Sequence, residues 1–236
     1  MMMELRDVTK VYQQGRRQVN AVRGVDLTIE AGEFVSIMGP SGSGKSTLMH
    51  LLGGLDTPTT GQAFFQNKDL AALSDRDRSL LRRSRIGFIF QFFNLLPTLT
   101  ACENVALPLF LAGHSRGKAL ISARASLDQV GLSHREEHFP DEMSGGEMQR
   151  VAVARALVTE PDAILCDEPT GNLDSANSEE ILRLLRSLPE PGKRSVVMVT
   201  HDRNAANYGD RLVIIRDGLI GDLIHNPRAE WNIATG

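Results

Sequence analysis

Residues Gly39-Pro40-Ser41-Gly42-Ser43-Gly44-Lys45-Ser46-Thr47 constrain this chain more than any other stretch. They satisfy the pattern G-x-x-x-x-G-K-[ST], in which glycines let the backbone curl until successive N–H groups point inward at an anion. Lys45 adds a full positive charge suited to the β- and γ-phosphates of a nucleotide, and Ser46 offers a hydroxyl suited to Mg²⁺. The following run, Thr47-Leu48-Met49-His50-Leu51-Leu52, reads as a helix whose start adds roughly half a positive charge to the same place. Phe34-Val35-Ser36-Ile37-Met38, just upstream, has the length and apolar character of a buried strand. A ligand-free glycine turn would need neither that strand nor that helix.

The chain of 236 residues is long enough for one large domain, or a domain with a lobe. Its net charge of −3 gives no support for binding nucleic acid through bulk charge, so no nucleic-acid partner is expected. The two cysteines, Cys102 and Cys166, match no metal spacing and suit a reducing compartment. No apolar run reaches the ~18 residues that would span a bilayer, and Met1-Met2-Met3-Glu4 lacks the features of a signal peptide. Work at a membrane would therefore require a separate membrane partner.

Along the chain, Val25, Leu27 and Ile29 alternate with Asp26 and Thr28, which predicts a half-buried antiparallel strand near the N-terminus, with a turn at Gly15-Arg16-Arg17. Tyr12, just before that turn, reads either as a strand-end aromatic covering the sheet or as a flat platform for a base, a role that needs the ring and not the hydroxyl. A loop at Thr57-Pro58-Thr59-Thr60-Gly61 leads to a short strand over Ala63–Gln66. Ser74 caps a polar helix with acids early and arginines late. Ile86–Phe90 is another short apolar strand, ending at Gln91. No strand pattern appears between Gln91 and Pro161. Thr100 and Glu103 form a capping box, Pro108 should kink or end the helix that follows, and a second helix runs from about Lys118 to Val130. Ala163–Cys166 and Val196–Val199 are buried strands on either side of a helix capped by Asp174 or Ser175, and Leu212–Ile224 suggests a terminal hairpin. The tail after Asn226 carries no pattern.

Four apolar strands thus end in polar residues: Met38 before the glycine-rich loop, Phe90 before Gln91, Cys166 before Asp167, and Val199 before His201. In an open parallel sheet, ligands bind at the carboxyl ends of the strands, so these termini should converge on the phosphates. Asp167 suits Mg²⁺ coordination, Glu168 suits orienting or deprotonating the attacking water, and His201 suits a γ-phosphate contact. Ser144-Gly145-Gly146-Glu147 reads as a capping box whose glycines leave N–H groups unshielded. It is either a plain helix cap or a second anion site.

These motifs, in this order, resemble an ABC-type ATPase subunit over nearly the whole chain. Asp167-Glu168-Pro169-Thr170-Gly171-Asn172-Leu173-Asp174 and Phe90-Gln91-Phe92-Phe93-Asn94-Leu95-Leu96-Pro97 are most similar to the MacB, LolD and FtsE group. The resemblance implies an α/β P-loop NTPase core with an N-terminal antiparallel β subdomain and an inserted α-helical signature subdomain. It implies one domain over residues 1–236, with the core and β subdomain at about 1–91 and 161–236 and the helical lobe at about 92–160. It implies two copies paired head to tail around two Mg-ATP, the signature Ser144–Glu147 of one closing over the P-loop of the other. By the same resemblance Tyr12 stacks on adenine, Gln91 links Mg²⁺ to the membrane partner, and Asp174 lies in the loop that crosses the dimer seam. The implied function is ATP hydrolysis at the cytoplasmic face of a membrane, driving an integral permease subunit for export or lipoprotein extraction. An FtsE-like role, regulating a cell-wall enzyme without transport, shares every motif. A soluble ABC ATPase of DNA repair or translation would usually bring coiled-coil insertions or a second cassette, and a small-molecule P-loop kinase would leave Ser144–Glu147 and His201 unexplained. The commonest signature is Leu-Ser-Gly-Gly-Gln, so Met143 and Glu147 depart from it, and Glu147 brings a negative charge close to an anion.

Overall fold

A computed structural model describes residues 1–15 and 17–225. Arg16, in the middle of the expected N-terminal turn, and the patternless tail lie outside the described residues. Two sheets organise the chain. The first is antiparallel in the order β2-β1-β4-β5, formed by β1 (Met3–Gln14), β2 (Arg17–Ile29), β4 (Thr60–Phe65) and β5 (Lys68–Asp69). The second runs β10-β9-β3-β8-β7-β6, with β3 (Phe34–Met38), β6 (Ile86–Phe90), β7 (Ala163–Asp167), β8 (Ser195–Thr200) and β9 (Arg211–Arg216) parallel and β10 (Leu219–His225) antiparallel at the edge.

The inner strands β3, β7 and β8 are buried on both faces, as their short apolar runs suggest, whereas the edge strand β10 is largely exposed. Successive side chains point to opposite faces and enter different cores. Val35 and Ile37 of β3, Leu165 of β7 and Val197 and Val199 of β8 pack with Leu48, Met49, Leu51 and Leu52 of α1 (Lys45–Leu52) and with Leu5, Leu27 and Phe65 of the first sheet. Phe34, Ile164, Cys166, Val196 and Met198 face the other way, into a core shared by Ile181, Leu182 and Leu185 of the helix Ser175–Ser187 and by a helical lobe. That lobe lies between β6 and β7 in sequence and consists of α3 (Ala101–Leu111), α4 (Arg116–Gln129) and α5 (Gly145–Leu157). Burying each of these aliphatic side chains stabilises the fold by about 1.5–3 kcal/mol. Cys102 and Cys166 are both buried free thiols, and burial pushes the Cys166 thiol far up.

Three local features differ from the sequence expectation. The polar residues Thr60, Gly61 and Gln62 belong to β4, because Gln62 pairs with Arg6 and Thr60 with Thr9 of β1. Gln66 is not in the strand: it and Asn67 adopt positive φ and make the turn into β5. Pro108 does not end α3, which continues to Leu111. A proline there removes one backbone donor, and the turn beyond it still closes through the Ala112 N–H to the Pro108 carbonyl at 3.0 Å. The remaining helices are α2 (Asp75–Arg85), capped by Ser74, α6 (Ser175–Ser187), capped by Asp174, and the short α7 (Arg203–Ala206).

Candidate functional site

Strand order explains how four separate sequence segments meet. β3, β8, β7 and β6 are consecutive neighbours, so their carboxyl ends stand side by side. They deliver, in that order, the loop Gly39–Gly44, His201, Asp167-Glu168 and Gln91. Phe90 pairs with Asp167 in the ladder, which sets Gln91 beside the Asp167-Glu168 exit.

The loop is a cradle that side chains would fill. A Cβ at Gly39 would overlap the Ile215 carbonyl on β9, and one at Gly44 would overlap the Ala21 carbonyl on β2. Gly42 and Gly44 have φ of +78° and +102°, a region where only glycine is unstrained. Gly44 caps α1 without any side-chain hydrogen bond, so the first N–H groups of that helix have no partner from a cap. Ser43 carries a buried hydroxyl with no hydrogen-bond partner among the described residues. Buried donors without partners, a helix start and the Lys45 ammonium are what a polyphosphate would satisfy. Lys45 is itself buried, and its Nζ donates to the carbonyls of Gly39 (2.9 Å) and Pro40 (3.0 Å), which holds the charge over the loop. Pro40 and Ser41 sit exposed at the loop's rim.

The two residues expected to hold Mg²⁺ on this side touch each other: the Ser46 hydroxyl donates to Asp167 Oδ1 at 3.1 Å. Burial raises the Asp167 carboxyl above its usual range, against the opposing pull of the Ser46 hydrogen bond and the His50 and Lys45 charges. A hydroxyl and one carboxylate are the hard oxygen donors that Mg²⁺ prefers when phosphates complete its shell. Among the described residues no group of three or more His, Cys, Asp or Glu side chains is arranged to hold a metal without such help. Gln91, beside this pair, makes its hydrogen bonds to Asn172. Its Nε2 lies 3.4 Å from the Asn172 carbonyl oxygen Oδ1, and its own backbone carbonyl accepts from Asn172 Nδ2 at 3.0 Å.

Glu168 and His201, singled out separately in the sequence, are in contact: His201 Nδ1 donates to Glu168 Oε2 at 3.0 Å. The pair leaves Nε2 of His201 for a second partner. Glu168 has a φ of +47°, a conformation costly for a non-glycine residue. The Glu168 N–H donates to the Val199 carbonyl (2.9 Å) and its carbonyl accepts from Gly171 (3.0 Å), so the strained backbone is pinned between β7 and β8. This geometry aims the carboxylate toward the strand ends.

Ser144–Glu147 opens α5 with a complete capping box. The Ser144 hydroxyl accepts from the Glu147 N–H (3.2 Å), and the Ser144 N–H donates to Glu147 Oε2 (2.8 Å). The other Glu147 oxygen accepts from Arg135 Nε at 2.8 Å. The backbone bond to Ser144, with further help from Arg135, holds the Glu147 carboxyl below its usual range. Both oxygens are therefore committed inside the lobe. Glu147, one of the residues expected to face nucleotide, thus has its charge neutralised by Arg135 and builds the helix start, while Ser144 is exposed at the tip. Gly146 packs so closely on Asn177 of α6 that a Cβ would overlap the Asn177 amide. Asn177 in turn donates its N–H (2.8 Å) and Nδ2 (2.9 Å) to Asp174, which joins Asp174 to the signature. Among the described residues no hydrogen bond links Ser144–Glu147 to residues 39–47 of the same chain.

Tyr12 reaches the site from β1. Its hydroxyl donates to Asp56 Oδ2 at 2.7 Å and meets the Thr47 side chain at the start of α1. Three further residues escaped the sequence reading. Gln149, fully buried on α5, donates to the Pro169 carbonyl (2.6 Å) and, at 3.4 Å, to the Phe90 carbonyl, tying the lobe to the ends of β6 and β7. Its place on the apolar stripe of α5, four residues before Val153, was a legible signal. Arg155 donates to the carbonyls of Phe93 (2.7 Å) and Asn94 (2.5 Å), both at positive φ, and clamps the loop after Gln91. Asp56 had no signal at all. Beside that loop lies a groove of about 470 Å³, with apolar walls from Phe90, Leu107, Pro108 and Leu111 and with Arg82, Arg83 and Arg155 at its edge. Leu111, on its wall, is 62% exposed, and Phe92, in the loop after Gln91, is 70% exposed.

The comparisons with known proteins point one way. The family model described as "ABC transporter" matches residues 22–171. The lipoprotein-releasing system ATP-binding protein LolD of Psychrobacter arcticus is 48% identical over 213 residues, covering 90% of this chain and 94% of that protein. The macrolide export ATP-binding/permease protein MacB of Chlorobaculum tepidum is also 48% identical, over 94% of this chain, but the chain spans only 34% of that relative's length. Among solved structures, the ATP-binding cassette MJ0796 of Methanocaldococcus jannaschii, in a dimeric post-hydrolysis state bound to ADP and Pi, superposes with a TM-score of 0.87 at 44% identity, covering 95% of this chain and 98% of that one.

Proposed function

Because this chain belongs to the ABC transporter family and is an ATP-hydrolysing cassette, we propose that it works as a pair, two copies closing head to tail on two Mg-ATP and driving an integral membrane permease subunit. The observation that carries this reading is the exposed helix start at Ser144-Gly145, whose donors make no bond to their own P-loop. One P-loop encloses only one side of a polyphosphate, and a second copy supplies the other side.

In this arrangement Gly39–Thr47 holds the phosphates, with the Lys45 ammonium on the β- and γ-groups. Ser46, Asp167 and Gln91 hold Mg²⁺, which when bound neutralises charge gathering on the phosphate oxygens. Tyr12 stacks on the base. Glu168 takes the proton from the attacking water, a role worth typically 10²–10⁴-fold. His201, fixed through Nδ1 by Glu168, meets the γ-phosphate with Nε2. Ser144, Gly145 and Gly146 of the second copy close the site, and Asp174 lies at the seam. Ser144→Arg is expected to abolish hydrolysis while leaving nucleotide binding by the monomer nearly intact, with the melting temperature lowered only by the loss of the cap, about 1 kcal/mol. An active Ser144→Arg protein would argue that Ser144 never meets a nucleotide.

The permease subunit docks in the groove beside Gln91. Three arginines around apolar walls suit a short apolar segment carrying acidic residues. Among the described residues no helix is long and apolar enough to cross a membrane, which supports a peripheral seat on the cytoplasmic face through that partner. The work done is export or extraction of a substrate. The likeness to LolD over nearly that protein's full length favours lipoproteins as the cargo. Leu111→Glu, on the groove wall and distant from the phosphates in sequence, is expected to lose co-purification with the membrane partner from detergent extracts while still binding ATP. Retention of the partner by Leu111→Glu would move the docking site elsewhere.

A further inference from the structure

We propose that Asp56 is a positioning residue for the base: it fixes the Tyr12 ring against the P-loop helix, so that affinity for the nucleoside depends on a carboxylate that never touches it. The proposal rests on the nucleotide reading above and concerns the half of the ligand the phosphates do not determine.

Stacking acts only if the ring plane is held at a set place relative to the phosphates. Tyr12 belongs to the antiparallel sheet, whereas the phosphate cradle belongs to α1. Asp56 stands on the loop leaving α1, with its N–H donating to the His50 carbonyl at 3.3 Å. The bond from the Tyr12 hydroxyl to Asp56 Oδ2 (2.7 Å) therefore joins two elements 44 residues apart. Asp56 is itself pinned. Its Oδ1 accepts from Lys10 Nζ at 2.6 Å and from the Thr57 N–H at 2.7 Å. Lys10 Nζ also donates to the Thr57 carbonyl at 2.8 Å and lies 5.0 Å from the centre of the Tyr12 ring. Burial of Asp56 works against its charge, yet the bonds from Lys10, Tyr12 and Thr57 outweigh it and keep the carboxyl below its usual range. An ionised acceptor makes each of these bonds stronger than a neutral one. The phenol hydroxyl, dispensable for stacking as such, has a part: it carries the anchor.

If Asp56 served only to shape its loop, its loss would disturb α1 and weaken phosphate binding too. The test therefore separates base from phosphate, by calorimetric titration of ATP and of inorganic triphosphate, each with Mg²⁺. Asp56→Ala is expected to weaken ATP roughly tenfold, the scale of one charge-assisted hydrogen bond, and to leave inorganic triphosphate unchanged. Asp56→Asn, which keeps an acceptor oxygen, should recover part of the loss. Tyr12→Phe breaks the same bond from the other side without removing the ring, and also gives up the hydroxyl's contact with Thr47. It should show a selective loss of ATP at least as large, and Tyr12→Phe with Asp56→Ala should be no worse than Tyr12→Phe alone. Equal losses for ATP and triphosphate, full ATP affinity in Asp56→Ala, or additive losses in the double variant would overturn the proposal. A wild-type protein that bound neither ligand would overturn the nucleotide reading instead, and the proposal with it.

Discussion

Lys45→Ala is expected to weaken ATP binding by on the order of a hundredfold or more. Hydrogen bonds to charged groups are worth about 1.5–3 kcal/mol each. An ammonium placed between two phosphates forfeits at least two of them, and every ~1.4 kcal/mol is a factor of ten in affinity. The side chain is buried, and its Nζ is already held by the carbonyls of Gly39 and Pro40, so little freedom is lost when a nucleotide arrives. Alanine removes the charge and leaves those carbonyls to water. Titration with ATP, beside a thermal melt to show that the protein is folded, measures the effect. A folded Lys45→Ala protein with normal affinity would sink the P-loop assignment.

Glu168→Gln should lower turnover by about 10²–10⁴-fold while ATP still binds. Glutamine keeps the size of the side chain and an oxygen that can accept from His201 Nδ1, but it cannot take a proton from water. Its backbone bonds to Val199 and Gly171 do not involve the side chain, so the left-handed turn at residue 168 should survive. Lys45, Ser46 and Asp167 are untouched. The measurement is phosphate release under saturating Mg-ATP, paired with an ATP titration. Turnover within a few-fold of wild type would remove Glu168 as the base, and a parallel loss of ATP affinity would mean that the substitution had damaged the cradle.

Much of this site was legible in the sequence for physical reasons. Apolar runs of four to six residues bounded by turn residues are too short for helices and suit strands buried on both faces, whose polar ends gather at one edge of a parallel sheet. That logic placed Asp167, Glu168 and His201 with the P-loop before any coordinates, and the strand order makes them neighbours. Caps were legible because they are local: Ser74, Thr100, Ser144 and Asp174 each sit three residues before the N–H they accept. What escaped were bonds between residues distant in sequence. Nothing in Gly53-Gly54-Leu55-Asp56 announces a partner at Tyr12, and nothing in α5 announces that Arg155 holds the carbonyls of Phe93 and Asn94. The charge of Glu147, troubling when read beside an anion, is neutralised by Arg135 twelve residues earlier. The strand character of Thr60–Gln62 was hidden because polar edge residues join a ladder through their backbone alone.

The pairing of two copies around ATP is tested most directly by size-exclusion chromatography with light scattering on the Glu168→Gln protein. With hydrolysis blocked, a dimer holding ATP at both seams has no route to opening. The protein should run as a monomer without nucleotide, as a dimer at saturating Mg-ATP, and as a monomer again once nucleotide is removed. A catalytically dead protein that binds Mg-ATP and stays monomeric would contradict the two-copy site.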